Sequence, residues 1–216
     1  MHRILVLFAL LLLPDPARAG AWLREQGGGF LSVSTYLLEA GSGGQNYAGI
    51  YLEYGLKPRL TLGLDLGRGV SGHTKSIAFL RLPLGSADGP HRFALDAGFG
   101  EIAGHPTFRP GFSYGYGFDS GLGQGWLSLE TMVEMDLRDR DTDYKVDLTI
   151  GLAPNHKLKL LLQLQSGRAA GDPFFLRVVP SLTRRIGKGW QAEFGFTREL
   201  IGGRASGLKL GLWKRF

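Results

Sequence analysis

The sequence predicts an all-β, transmembrane, up-and-down antiparallel barrel of about 12 strands with short loops on both sides. Apolar and polar residues alternate with period two almost without interruption from residue 28 to the end. No segment after Gly20 shows the 3.6-residue period of an amphipathic helix. Glycine supplies 34 of the 216 residues and cysteine none, which excludes a disulfide scaffold and a cysteine-ligated metal protein.

Residues 1–19 have the pattern of a signal peptide. Arg3 gives a charged start, Ile4–Leu13 is an apolar run, and Ala17 and Ala19 stand before Gly20 as a small-residue cleavage site. The apolar run is too short for a spanning helix, which needs about 20 residues. We therefore expect a cleaved signal peptide at 1–19 and a barrel at 20–216. The net charge of +6 does not indicate a nucleic-acid partner, because the chain is exported and its charges are scattered.

The clearest strand is the stretch from Leu60 to Leu66, where leucine alternates with Thr61, Gly63 and Asp65. Connections rich in turn formers, such as Pro58 and Asn155, favour hairpins between antiparallel neighbours. The predicted strands are 28–40, 46–57, 59–69, 74–84, 91–101, 107–119, 125–138, 143–153, 156–167, 173–187, 189–201 and 205–216.

The apolar face of these strands indicates the solvent. About twelve strands enclose a lumen too wide for side chains to fill, so leucines facing inward would line an empty cavity. Leucines facing water would aggregate, whereas leucines facing lipid avoid both problems. Strands of about ten residues also match a tilted bilayer crossing. We expect the bacterial outer membrane, with its lipids and lipopolysaccharide as surroundings.

Aromatic residues gather near the predicted strand ends, as in the girdles of membrane barrels, although ordinary strand propensity is an alternative explanation. They are Trp22, Phe30, Tyr54, Phe93, Phe108, Phe118, Trp126, Phe174, Trp190, Trp213 and Phe216.

The last strand resembles the signal that the outer-membrane barrel assembly machinery reads. The resemblance rests on Gly211 and the terminal Phe216, and it implies that this machinery is a partner. Lys214 stands where the pattern usually has an aromatic residue, and its stem could snorkel at an interface.

Three segments resemble uncharacterised proteobacterial outer-membrane barrels. They are Ala21-Trp22 followed by Gly27–Phe30, the hairpin from Tyr51 to Gly63, and the terminal Phe216. Some of those barrels are described as transporters linked to phenol-degradation pathways. The resemblance implies the barrel fold and specifies no substrate.

The leucine stripes place a set of charged residues of both signs on the inner face. Such charges either line a water-filled pore or pair with one another and close it. The acidic residues around Glu130 are expected to pair with Lys145 and Lys159, while Gly98, Gly100, Gly111, Gly115 and Gly117 are expected to leave space in the lumen. The predicted pore-lining residues are Glu53, Asp65, Arg81, Asp96, Arg109, Glu130, Glu134, Asp136, Lys145, Asp147, Lys159, Arg177, Glu193 and Lys209.

Motifs for catalysis or metal binding are weak. Gly111–Gly115 matches the nucleophile pattern of hydrolases, but Ser113 lies in a predicted strand without the helix that the pattern requires. Asp139, Asp141 and Asp143 have calcium-loop spacing, yet a salt-bridged loop explains them as well, and a divalent bridge to lipopolysaccharide is a further alternative. We expect no catalytic residue, no metal and no cofactor.

The sequence therefore predicts a passive channel or transporter for small solutes rather than an enzyme. A non-conducting structural barrel of the envelope is the alternative, followed by an outer-membrane lipid-modifying enzyme. The connections are too short to build a lid, a plug or an adhesive surface.

Overall fold

The computed structural model describes residues 20–40, 46–86 and 89–216, and these form a closed barrel of twelve antiparallel strands. Each strand pairs with its neighbours in sequence, and β1 pairs with β12. The strands are β1 Gly29–Leu38, β2 Tyr47–Lys57, β3 Leu60–Arg68, β4 Thr74–Leu84, β5 His91–Ile102, β6 His105–Ser120, β7 Gly123–Asp136, β8 Thr142–Asn155, β9 Leu158–Arg168, β10 Phe175–Gly187, β11 Trp190–Ile201 and β12 Ser206–Arg215. The predicted fold is confirmed, while the predicted signal peptide lies outside the described residues.

The seam between β1 and β12 joins the two ends of the sheet. The Gly29 amide donates to the Phe216 carbonyl at 2.7 Å, and the Phe216 amide donates to the Gly29 carbonyl at 3.2 Å. The Phe216 ring lies over Gly29, in the space that a side chain there would fill. Closing the seam removes the exposed strand edges that would promote aggregation.

The two ends of the barrel differ in their connections. The terminal end, where β1 begins and β12 finishes, carries two-residue turns such as Pro58–Arg59. The distal end carries the connections β1–β2, β3–β4, β5–β6, β7–β8, β9–β10 and β11–β12. Its tightest turn is Ala103–Gly104, whose φ angles of 55° and 79° fit the left-handed hairpin turn that matches strand twist.

The strand alternation separates an apolar outer face from a polar inner face. Leu62, Leu80 and Leu162 are exposed on the outside, whereas Glu53 and Arg81 are buried on the inside. A water-soluble barrel would show the opposite arrangement, because burial of apolar surface drives folding in water. Among the residues described, no helix is long and apolar enough to cross a membrane.

Candidate functional site

The residues before β1 turn into the barrel and form what we call the lumen segment, Gly20–Gly28. The Gly27 amide donates to the Gly55 carbonyl, and the Gly55 amide donates to the Gly28 carbonyl, both at 2.9 Å. From this anchor at the terminal end the chain runs inward, and Ala21 is 1% exposed. The segment inside the barrel comes from the residues before β1 and not from a connection between strands, which the prediction about short connections did not consider.

Trp22 fills the inner space beside β6 and β7. Its ring packs against Trp126, and a Cβ built on Gly115 would lie 2.6 Å from that ring. Both tryptophans are less than one-tenth exposed, so their predicted place in the interfacial girdles is wrong. Trp126 lies on the same inner face of β7 as Ser128 and Glu130, since the three residues are spaced two apart. The strand alternation in the sequence therefore already indicated that Trp126 faces inward.

The other inner glycines are also covered rather than open. A Cβ on Gly98 would meet Ile77 at 2.9 Å, and one on Gly111 would meet Asp96 at 3.3 Å. Gly100 lies against the backbone of Ser76. The predicted space near β5 and β6 is therefore occupied, apart from looser surroundings at Gly117.

Arg81 is the centre of the largest inner ion-pair network. Its guanidinium binds both carboxylate oxygens of Asp96 at 2.7 Å and donates to Glu53 at 2.7 Å. It also donates to the Gly20 carbonyl at 2.6 Å, which ties the lumen segment to β4. Glu53 accepts further bonds from Tyr51 and from Arg24. A buried carboxylate needs such partners, because ionised groups removed from water are costly unless paired.

A second network crosses between strands that are not neighbours. Asp65 on β3 binds Lys75 of β4 at 2.7 Å and Arg109 of β6 at 2.5 Å. The guanidinium groups of Arg81 and Arg109 both lie over the Phe79 ring, 5.5 and 5.6 Å from its centroid. The ring and the two networks thus pack together on one side of the lumen.

The opposite wall is held by shorter-range pairs. Lys145 binds Asp147 at 2.7 Å, and Lys209 binds Glu193 at 2.8 Å. Arg177 binds Glu199 at 2.7 Å. Its guanidinium also donates to the Tyr47 hydroxyl of β2 at 3.3 Å.

The acidic residues of β7 face other acids. Glu130 stands opposite Asp147 and Glu134 opposite Asp143, whereas Lys145 stands opposite Met132. This register explains why the expected pairing of Glu130 with Lys145 does not form among the described residues. Glu130 instead accepts a hydrogen bond from Ser128 at 3.3 Å.

All predicted pore-lining residues are buried or half-buried, and whether they line an open pore stays a prediction. Sequence reasoning missed Lys75, Glu199 and Arg24. Lys75 and Glu199 share the parity of Arg81 and Glu193 on their strands, so a stricter count would have found them. Arg24 belongs to the lumen segment, whose sequence shows no strand alternation from which an inward position could be predicted.

Cavities lined by described residues open from both ends of the lumen. Two lie at the distal end, with volumes of about 410 and 270 Å³, and one of about 180 Å³ lies at the terminal end beside Trp22 and Trp126. The distal cavities share no lining residue with the terminal one. Along β7, Trp126 lines the terminal cavity and Glu134 the distal pair, and Ser128 between them contacts Gly20. The lumen segment therefore narrows the middle of the barrel.

Solved outer-membrane channels share this architecture. The KdgM porin aligns with a TM-score of 0.63 at 6% identity over 87% of this chain and 99% of its own. The NanC porin aligns with a TM-score of 0.64 at 7% identity, over 84% and 98% of the two chains. The COG4313 outer membrane channel from Pseudomonas putida F1 has a TM-score of 0.60 at 13% identity, over 94% and 99%.

These likenesses show a porin-type barrel fold. No protein-family model matches the sequence, and no curated protein matches it significantly. The channels of solved structure support the barrel fold, while the resemblance to uncharacterised proteobacterial barrels stays a prediction.

The terminal strand has local explanations for its unusual residues. A Cβ on Gly211 would lie 2.8 Å from a Glu193 carboxylate oxygen, so glycine leaves room for that buried acid. The Lys214 ammonium donates to the Lys188 carbonyl at 3.1 Å and lies 4.9 Å from the Trp190 ring centroid. Recognition of Gly211 and Phe216 by the assembly machinery stays a prediction.

The residues considered for catalysis and for calcium lie in different settings. Ser113 is buried within β6, where the strand continues on both sides without a helical turn. Asp139 contacts His105, and Asp143 accepts the Ala170 amide at 2.8 Å. The aspartates with calcium-loop spacing therefore bind separate partners at the distal end.

Proposed function

We propose that the protein is a bacterial outer-membrane channel for small hydrophilic solutes, with its terminal end toward the periplasm. The observation that carries this proposal is the charged inner face with cavities at both ends of a closed barrel whose outer face is apolar. The apolar face matches lipid, and the charged face holds water and solutes. The porin and channel folds of the structural neighbours support the same function.

The lumen segment is the constriction of this channel. It lies outside the twelve strands, so it can shift without breaking the barrel hydrogen bonds. Besides the anchor at Gly55, Arg81 holds the Gly20 carbonyl, the Arg24 side chain binds Glu53 at 2.5 Å, and the Arg24 amide donates to the Thr61 hydroxyl at 3.0 Å. We infer a small conductance with the segment in place.

The distal cavities give the pathway an asymmetric charge. Six acidic residues line the smaller cavity, whereas Arg68, Lys75, Lys145 and Arg177 line the larger one together with three acids. Opposed charges across a narrow passage create a transverse field that orients polar solutes. We infer that the channel admits small polar or charged molecules rather than apolar ones.

A non-conducting structural barrel is the second candidate. The separate linings of the distal and terminal cavities favour it, because no described residue lines both ends and the lumen segment lies against Ser128 between them. Pairing offsets part of the desolvation cost of burying charges in a filled lumen, as it does around Arg81.

Planar-bilayer recording with refolded residues 20–216 separates the two candidates. A channel gives discrete current steps in the full-length mature protein, and liposomes that contain it swell in small sugars. Protein that inserts completely, as judged by heat-modifiable mobility, and never conducts would reject the channel and leave the structural barrel.

A further inference from the structure

The smaller distal cavity is strongly acidic. It has a volume of about 270 Å³, and no lysine or arginine occurs among the described residues that line it. Its acids come from β7, the β7–β8 connection, β8 and the β9–β10 connection, and they are Glu134, Asp136, Asp139, Asp141, Asp143 and Asp172. Carboxylates concentrated in a concave surface of low dielectric raise the local concentration of cations.

Three potential ligands meet at the rim of this cavity. His105 Nδ1 lies 2.7 Å from Asp136 Oδ2 and 3.2 Å from Asp139 Oδ2. One donor atom from each residue falls within 4.8 Å of the others. An imidazole with two carboxylates is a ligand set suited to first-row transition metals, since Ca²⁺ and Mg²⁺ prefer oxygen alone.

The backbone holds these side chains in place. The Ala103–Gly104 turn brings the chain directly into β6, so that His105 is its first residue. Asp136 Oδ1 accepts the Arg138 amide at 2.7 Å and the Asp139 amide at 3.0 Å. These bonds leave Oδ2 free to face His105 and fold Asp139 back toward the same point.

The spacing suits a tetrahedral ion after a small expansion. Zinc bonds of about 2.0 to 2.2 Å separate tetrahedral ligands by about 3.3 Å. The longer contact of His105, 3.2 Å, already matches that separation, and the shorter one, 2.7 Å, would have to lengthen by about 0.6 Å. A cation would replace the proton that His105 now shares with the carboxylates, and water would fill the fourth position.

Glu134 provides a second, independent observation at the same cavity. Its side chain is 3% exposed and lines the same cavity. One oxygen accepts the Val70 amide at 2.8 Å, but Oε1 is buried without a hydrogen-bond partner among the described residues. An unsatisfied buried carboxylate oxygen is costly, and a hydrated cation in the cavity would supply both charge and donors.

We propose that this cavity binds a divalent first-row transition metal ion, represented by Zn²⁺, through His105, Asp136 and Asp139. The ion joins the β5–β6 turn to the β7–β8 connection at the distal mouth. Its binding does not depend on whether the lumen conducts.

Calorimetric titration of Zn²⁺ into refolded, tag-free residues 20–216 tests the proposal, with competition by a chromophoric chelator. We expect one ion per barrel. His105→Ala and Asp136→Asn each weaken binding by about tenfold or more, as loss of a ligand should. Bound Co²⁺ should show the visible absorption of a low-coordinate site in wild type and lose it in His105→Ala.

Two controls keep the result interpretable. His73→Ala removes a different imidazole from the same cavity, and His91→Ala removes one at the terminal end; both should bind Zn²⁺ as wild type does. Heat-modifiable mobility shows that each variant is folded. Absence of Zn²⁺ binding in wild type would overturn the proposal, as would binding unchanged by both ligand substitutions or matched by Ca²⁺ at equal affinity.

Discussion

Arg81 illustrates how one side chain couples the barrel wall to a segment outside the sheet. It binds Asp96 with two parallel hydrogen bonds while it reaches Glu53 and the Gly20 carbonyl with the remaining donors. Only a planar, permanently charged guanidinium offers donors in so many directions. Lysine at this position could not satisfy all these acceptors.

We expect Arg81→Met to destabilise the barrel strongly. The change leaves the buried Glu53 without its cationic partner on the barrel wall, and loss of one member of a buried pair costs about 3 to 5 kcal/mol. Urea unfolding in lipid vesicles measures the difference. Arg59→Met is the control, since Arg59 is exposed and donates to the Gly85 carbonyl; it should stay within about 0.5 kcal/mol of wild type. Equal stability of the two variants would contradict the role of Arg81.

The acids of β7 should control ion selectivity. The double variant Glu130→Gln with Glu134→Gln removes two negative charges from β7. Each of these charges stands opposite another acid on β8. The reversal potential in a salt gradient should then shift toward anion selectivity. Glu101→Gln, an exposed carboxylate at the end of β5, should leave the potential unchanged. A double variant that conducts with wild-type selectivity would contradict this assignment.

At the scale of elements, strand alternation and the lumen segment differ in what the sequence can predict. Every predicted strand bound lies within two residues of the observed one, because the alternation of each strand stops at connections that are rich in turn formers. The lumen segment has no alternation of apolar and polar residues, and Trp22 is an aromatic near a strand end, as the residues of an interfacial girdle are. Its burial depends on Gly115, which is distant in sequence and leaves room for the ring.

A cysteine pair should report the position of the lumen segment. A Cβ built on Gly20 would lie 3.3 Å from the Ser128 Cβ, close to the separation in disulfides. The chain has no cysteine of its own, so Gly20→Cys with Ser128→Cys should cross-link on oxidation and change mobility in gels. Gly27→Cys with Ser128→Cys is the control, because Gly27 has no atom within 4 Å of its Cβ position. If the pair at positions 20 and 128 stays reduced under the same oxidation, the lumen segment lies elsewhere.

At the scale of the whole molecule, the faces of the barrel were predictable and the partners across its lumen were not. Parity placed Asp65 and Arg109 on the inner face. Their contact joins β3 to β6, and it depends on the closure and stagger of the whole barrel rather than on any local pattern. The filling of the middle by the lumen segment is likewise a property of the closed molecule.

The outer face should behave as a lipid-facing surface. Leu64→Arg places a charge on the apolar stripe of β3 and should cost about 2 to 4 kcal/mol of folding free energy if it lies near the bilayer midplane. Leu122→Arg, at a turn residue that is 73% exposed, should cost about 0 to 1 kcal/mol. Folding titrations in vesicles compare the two. Equal costs would show that the stripe does not face lipid.

The most direct test of a channel constricted by its own N-terminal segment is the single-channel conductance of a variant that lacks residues 20–26. The variant keeps Gly27 and Gly28, which anchor to Gly55, and all twelve strands. Full-length Gln26→Ala is the control and should match wild type. We predict discrete steps several-fold larger than those of residues 20–216. Equal conductance in the folded deletion variant and the full-length protein would contradict the account.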